Sequence, residues 1–142
     1  MQQFTTFFLH HWELFLALGV ILAMLLGDPL LQKARGYQAV DPSEATILHN
    51  RQDALILDVR EDSEYKDGHI LGSVHIPLGQ LTSRIKELDK HRSRPIIAAC
   101  RSGSRSGHVC ALLRKQGFEQ IYNLRGGLMA WQNANLPITR KK

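Results

Sequence analysis

Apolar residues fall into two kinds of run along the chain. Ala54–Val59, Pro95–Ala99 and Phe118–Leu124 are short and rich in aliphatic and aromatic residues, the pattern of buried strands. Between them lie segments with helical spacing: Ala45 and Leu48, then Leu81, Ile85 and Leu88, then Val109 to Leu113, and last Leu128 and Trp131. Asp41-Pro42-Ser43-Glu44 predicts a helix start, with an Asp cap, proline at the first helical position and Glu three residues after the cap. Glu61–Lys66 predicts a short polar helix, Gly68–Gly72 a turn, and Val74 to Ile76 a brief strand closed by Pro77. Strands alternating with helices predict an α/β domain with a parallel sheet covered on both faces. About a hundred residues suffice for such a core.

Residues 7 to 26 are dominated by apolar side chains, and the unbroken run Leu14–Leu26 has no polar face. A cleaved signal peptide would carry a positive start, and residues 1–11 contain no Lys or Arg. The expectation is therefore one transmembrane helix before the domain, with Trp12 at one interface and Glu13 and Asp28 near the two ends. Lys33 and Arg35 follow the span, so the positive-inside rule orients the domain to the cytoplasm, as in a single-pass protein of a bacterial inner membrane. The implied organisation is an anchor at 1–31, a juxtamembrane linker at 32–40, the α/β domain at 41–138 and a basic tail at 139–142. Gly19, Ala23 and Gly27 form a small-residue stripe that could pack against the helix of a membrane protein partner, with lipid as the other contact.

Charge narrows the function. The formal net charge of +5 arises after residue 36, since Lys33 and Arg35 balance Glu13 and Asp28 before it. The basic residues are spread out and not interleaved with aromatics, so nucleic acid is not an expected partner. Two cysteines, Cys100 and Cys110, make no disulfide framework. The seven histidines show no ligand spacing with them, so neither metal nor cofactor is expected.

The candidate chemistry sits where the Pro95–Ala99 strand ends. Cys100-Arg101-Ser102-Gly103-Ser104-Arg105-Ser106 is a small-residue loop that opens a helix. Residues 101–106 lack proline, so each can present an N–H, and the helix dipole adds to them at this edge of the sheet, where anions bind. Arg101 and Arg105 add charge, and Ser102, Ser104 and Ser106 add hydroxyls. Acidifying the thiol is not the loop's main benefit. A shift of about two units from pKa ~8.5 would raise the thiolate fraction at neutral pH from roughly 3% to roughly three quarters. The lower basicity takes back about 8-fold in intrinsic reactivity, leaving a net gain of only about 3-fold. The larger effect is to hold an anionic donor and to stabilise charge on bound sulfur. Cys110, between Val109 and Ala111, reads as a core residue.

From about Ser43 to Pro137 the chain resembles the rhodanese-like family, as a single-domain member. The resemblance rests on Leu57-Asp58-Val59-Arg60, Glu64-Tyr65, Gly68-His69-Ile70, Gly72 with Ile76-Pro77, the Cys100–Ser106 loop, and Gly126-Gly127 with Trp131. It implies a rhodanese-like α/β fold and a sulfurtransferase in which Cys100 takes a sulfane sulfur from a small anionic donor such as thiosulfate. The resulting persulfide passes it to cyanide or a thiol acceptor by ping-pong covalent catalysis. By the same match the loop from Cys100 to Arg105 cradles the persulfide, and Asp58, Arg60 and His69 support the surrounding loops. Cysteine phosphatases and arsenate reductases are an alternative, but need Cys followed by five residues and then Arg. Here Arg105 comes after four, which suits one sulfur atom better than a phosphate. A second alternative is a membrane-tethered binding module that docks a membrane protein.

Overall fold

The computed structural model describes residues 6–7 and 10–141. The chain divides into two units, Met1–Arg35 and Gly36–Lys142.

In the first unit, one helix, α1 (Trp12–Arg35), runs to a basic last turn at Lys33 and Arg35. It corrects the expectation of a membrane anchor. Among the described residues no helix is long and apolar enough to cross a membrane. The uninterrupted run Leu14–Leu26 rises only about 20 Å at ~1.5 Å per residue, against a hydrocarbon core of ~30 Å. Lengthening it brings in Glu13 at one end and Gly27-Asp28-Pro29 at the other. The single-pass inner-membrane placement and its cytoplasmic orientation fall with the anchor, and nothing among the described residues supports the lipid and membrane-protein partners or the tethered binding module. A side chain built at Gly19 or Gly27 would meet nothing within 4 Å, so the stripe has no packed partner among the described residues.

The second unit is built on five parallel strands, β1 (Gln38–Val40), β2 (Leu55–Asp58), β3 (Val74–His75), β4 (Ile96–Ala99) and β5 (Ile121–Leu124), in the order β1-β5-β4-β2-β3. Every residue of β2 and β4 is buried, which is why both read as continuous apolar runs without alternation. Leu55 and Leu57 of β2 and Ile96 and Ala98 of β4 face one core layer with Leu81, Leu88, Val109, Leu113 and Phe118. Ile56, Ile97 and Ala99 face the other, with Ala45, Leu124, Leu128 and Trp131. Each large aliphatic side chain so buried contributes roughly 1.5–3 kcal/mol.

The helices of this unit are α2 (Pro42–Gln52), α3 (Asp62–Asp67), α4 (Leu81–Arg84), α5 (Ser104–Lys115) and α6 (Gly127–Asn133). Helix α2 begins as its sequence predicts: the Glu44 carboxylate reaches back to accept from the Asp41 N–H at 3.1 Å. The Leu81/Ile85/Leu88 spacing is helical, but continues past α4 as a 3₁₀ segment over Ile85–His91. The strand expected from Phe118 starts only at Ile121; Phe118 instead fills the core and carries the Arg92 guanidinium 4.2 Å above its ring.

Both ends of the expected domain are tied in further than expected. Residues 38–40, read as linker, form the edge strand β1, paired in register with Tyr122, Asn123 and Leu124. Thr139, read as the start of a free tail, exchanges both backbone hydrogen bonds with His69, at 2.9 and 2.7 Å.

From β2 the chain moves outward to β3 and then returns past β2 to β4, so strand order reverses between β2 and β4. The carboxyl edge beside that reversal is where open parallel sheets hold ligands. Asp58 at the end of β2 lies in register with Ala99, and the Val59 N–H donates to the Ala99 carbonyl at 3.0 Å. Cys100 is the next residue.

Candidate active site

Cys100 follows the last residue of β4 and points into the core layer beneath α5, with 1% of its surface exposed. Its Sγ accepts the Gly103 N–H at 3.1 Å and lies 3.3 Å from the Ser106 hydroxyl. Burial alone pushes the thiol up. The Ser106 hydroxyl and the N–H groups of Ser106, Gly103 and Ser102 outweigh it and hold Cys100 below the ordinary thiol range. Cys110 shows the same burial without the cradle. It is fully buried, its S–H donates only to the Tyr122 carbonyl at 3.4 Å, and burial together with the Cys100 charge drives its pKa up to about 12.

The loop is held open by two glycines. Gly103 caps α5 at φ +96°, a left-handed conformation that disfavours a side chain. Gly127 begins α6 at φ +58°, where a Cβ would strike the Cys100 and Arg101 carbonyl groups. With no Cβ in the way, the Leu128 and Met129 N–H groups donate to the carbonyls of Cys100 and Arg101 at 2.8 and 3.1 Å. The Gly126-Gly127 signature thus fixes the backbone of Cys100.

Ser106 and Asn123 form a small network behind the sulfur. The Asn123 amide nitrogen donates to the Gly103 carbonyl at 3.0 Å. A carbonyl only accepts, so this contact orients the amide and turns Oδ1 toward Ser106, whose hydroxyl donates to it at 2.6 Å. The single Ser106 proton therefore has two competing acceptors, Asn123 Oδ1 and Cys100 Sγ. Nothing in the spacing of the motifs singles out Asn123; the only signal is one amide in an otherwise apolar strand end.

The two loop arginines differ. The Arg105 guanidinium makes a two-pronged contact with Glu64, both bonds at 2.7 Å. Arg101 is exposed, and its side chain has no hydrogen bond or ion pair among the described residues. Ser102 and Ser104 lie exposed on the rim. Glu64, which the sequence places only within a motif, is thus joined to the loop. It also accepts the Glu61 N–H at 3.0 Å, and its carboxyl is lowered to about 2, chiefly by the Arg105 hydrogen bond.

The supporting residues lie on the β2 side. Asp58 and Arg60 are buried together, joined by bonds of 2.8 to 3.1 Å, and Arg60 also donates to the Gly68 carbonyl at 2.7 Å. Arg60 also lines a cavity together with Glu64, Asp67 and Arg101, but its charge is matched by Asp58. His69 donates through Nδ1 to the Tyr65 carbonyl at 2.9 Å and stacks on the Tyr65 ring at 3.8 Å. His75 stacks at 4.2 Å, so Tyr65 is sandwiched between two imidazoles. Among the described residues no group of His, Cys, Asp and Glu side chains could hold a metal ion.

A parallel α/β sheet that presents a thiol within a cradle of N–H groups defines the class of this domain: an α/β domain with a cysteine loop on a strand–loop–helix. A family model of the rhodanese-like domain matches residues 41–134, and the chain belongs to that family. It is 30% identical over 143 residues to the uncharacterized protein YibN of Escherichia coli K12, covering all of both chains. It is 37% identical over 91 residues to a sulfurtransferase of Allochromatium vinosum, covering 64% of this chain and 83% of that protein. Among solved structures, a rhodanese-related protein of Thermoplasma volcanium matches with a TM-score of 0.65 at 28% identity, over 74% of this chain and all of its own.

Proposed function

We propose that this domain is a sulfurtransferase that moves one sulfane sulfur from a small anionic donor such as thiosulfate to a thiophilic acceptor, a thiol or cyanide, through a persulfide on Cys100. The observation that carries the reading is the environment of Sγ: a buried sulfur held below the ordinary thiol range by surrounding N–H and O–H groups. The name sulfurtransferase borne by the Allochromatium vinosum relative supports the same class.

In the donor step the Cys100 thiolate attacks the outer sulfur of thiosulfate. The S–S bond of the donor breaks, its electron pair leaves with sulfite, and a Cys100–S–S⁻ persulfide remains. In the acceptor step an acceptor thiol attacks the outer sulfur of that persulfide. The pair from the broken S–S bond returns to Cys100, which takes the acceptor's proton, and the acceptor leaves as its own persulfide. No external oxidant or reductant is needed. Gly103 and Ser106 bind the sulfur of Cys100, the outward N–H groups of the loop meet the added sulfur, and Arg101 draws in the anionic donor. Arg105 after four loop residues, tied to Glu64, favours this chemistry over phosphate or arsenate, which would need a wider loop and a free guanidinium.

The test is direct. Full-length protein incubated with thiosulfate, then digested and weighed, should carry one additional sulfur on Cys100. Protein that stays unmodified with thiosulfate and with polysulfide would sink the reading.

A further inference from the structure

Arg105 lies in sequence between the two residues that touch the sulfur. The Gly103 N–H donates to Sγ at 3.1 Å, and the Ser106 hydroxyl stands 3.3 Å from it. The Arg105 guanidinium nevertheless turns to α3, where Nη1 and Nη2 each reach a Glu64 oxygen at 2.7 Å. Its charge stays within reach of the sulfur. Arg105 is raised above its ordinary range chiefly by the Glu64 hydrogen bond, and the Cys100 charge adds to the effect. Glu64 is itself fixed in place: as the third residue of α3 it accepts the Glu61 N–H at 3.0 Å, so moving toward the sulfur would cost the helix its cap.

Charge then separates one class of donor from another. A Cys100 thiolate and thiosulfate bring three negative charges together, whereas a thiolate and a singly charged donor bring two. Of the nearby arginines, Arg105 is matched by Glu64 and Arg60 by Asp58. A guanidinium left free at position 105 would attract a dianion twice as strongly as a monoanion at the same distance. Paired with a carboxylate, it loses most of that difference. Resting on the sulfur-transfer reading, we infer that Glu64 determines donor specificity: by neutralising Arg105 it turns the site away from dianionic thiosulfate and toward singly charged donors such as thiosulfonates. Thiosulfate still charges Cys100, but more slowly than it would with Arg105 released. Glu64 acts through Arg105, so it is a positioning residue and does not itself meet the donor.

Thiosulfate and methanethiosulfonate tell the two classes apart. Each gives its outer sulfur to the Cys100 thiolate; the donor bond to that sulfur breaks, and its electron pair leaves on sulfite or methanesulfinate. Persulfide formation is measured with both donors in the full chain, for wild type, Glu64→Gln and Glu61→Gln. Glutamine at 64 keeps an oxygen for the Glu61 N–H, so the cap survives while the charge goes. Glu61→Gln removes the same charge three residues away and leaves Arg105 paired. The expected result is a rise of about 3-fold or more in the thiosulfate-to-methanethiosulfonate ratio of kcat/KM in Glu64→Gln, against less than about 2-fold in Glu61→Gln. Adding Arg105→Gln to Glu64→Gln should cancel the rise, and high salt should shrink it. Alkylation of Cys100 by anionic iodoacetate relative to neutral iodoacetamide reads the same charge without sulfur transfer, and that ratio should also rise in Glu64→Gln. A loosened loop would speed both members of each pair alike. Ratios that Glu64→Gln leaves unchanged, or a rise that survives Arg105→Gln, overturn the inference even if Cys100 forms its persulfide. A higher iodoacetate ratio in a protein that takes sulfur from neither donor would leave the charge role of Glu64 standing and remove the sulfur-transfer reading instead.

Discussion

Glu64 holds Arg105 by its two terminal nitrogens, Nη1 and Nη2, each at 2.7 Å, so one of the two loop arginines is matched by a carboxylate from α3. The pair is half-buried and spans 41 residues of sequence, from the β2 side of the site to the start of α5. Its consequence is positional: it anchors the far end of the cysteine loop.

That geometry makes Glu64→Gln destabilising. The folded carboxyl sits at about 2, below its ordinary value of 4.5, so its contribution is present above pH 4.5 and disappears as pH falls toward 2. The full shift would correspond to about 3 kcal/mol, but both side chains reach solvent, and screening reduces the expected loss to about 1–2 kcal/mol at pH 7. Urea unfolding of wild type and Glu64→Gln should show that gap at pH 7 and see it close below pH 3. A constant gap over the whole range would mean packing, not charge, explains it.

The two cysteines should behave as different chemical groups in the folded protein. Iodoacetamide at neutral pH should label Cys100 and leave Cys110, buried and raised to about 12, untouched until denaturant is added. Cys100→Ser should abolish persulfide formation with thiosulfate, and Cys110→Ser should retain it, its hydroxyl able to donate to the Tyr122 carbonyl as the thiol does. Labelling at both positions in the native protein, or equal loss in both variants, would reassign the nucleophile.

Much of this site was legible before any coordinates, for a physical reason. A doubly covered parallel strand must be apolar throughout, so Ile96–Ala99 announces itself, and a cysteine followed by small residues at its end is a local pattern. What joins residues distant in sequence was not legible. Glu64 meets Arg105, and Asn123 meets Gly103 and Ser106, only because β2, β4 and β5 lie side by side. Helix α1 failed as an anchor for another reason: apolar character predicts a helix, but crossing a bilayer also needs length, and Glu13 and Asp28 bound the run too closely.

The competition for the Ser106 proton gives opposite signs for two substitutions. Ser106→Ala removes a donor to Sγ, so the pH at which Cys100 becomes reactive should rise and alkylation at neutral pH should slow several-fold. Asn123→Leu removes the competing acceptor at 2.6 Å, leaving the Ser106 proton for sulfur, and the inflection should move down. The pH dependence of iodoacetamide labelling at Cys100 measures both. Shifts in the same direction would show that Asn123 acts by holding Gly103 rather than by orienting the hydroxyl.

Gly127 should be the least replaceable glycine in the domain. At φ +58° an L-residue is strained by about 1–2 kcal/mol, and its Cβ would meet the Cys100 and Arg101 carbonyl groups, which cannot yield without moving Cys100. Relief requires α6 to retreat, breaking the Leu128 and Met129 hydrogen bonds at about 1 kcal/mol each. Gly127→Ala is therefore expected to lose about 3 kcal/mol or more in urea unfolding and to slow persulfide formation. Gly79→Ala, in a short 3₁₀ turn with nothing within 4 Å of the added methyl, should change stability by less than about 1 kcal/mol. If the two variants unfold alike, the close approach of α6 to Cys100 is not what holds the loop in place.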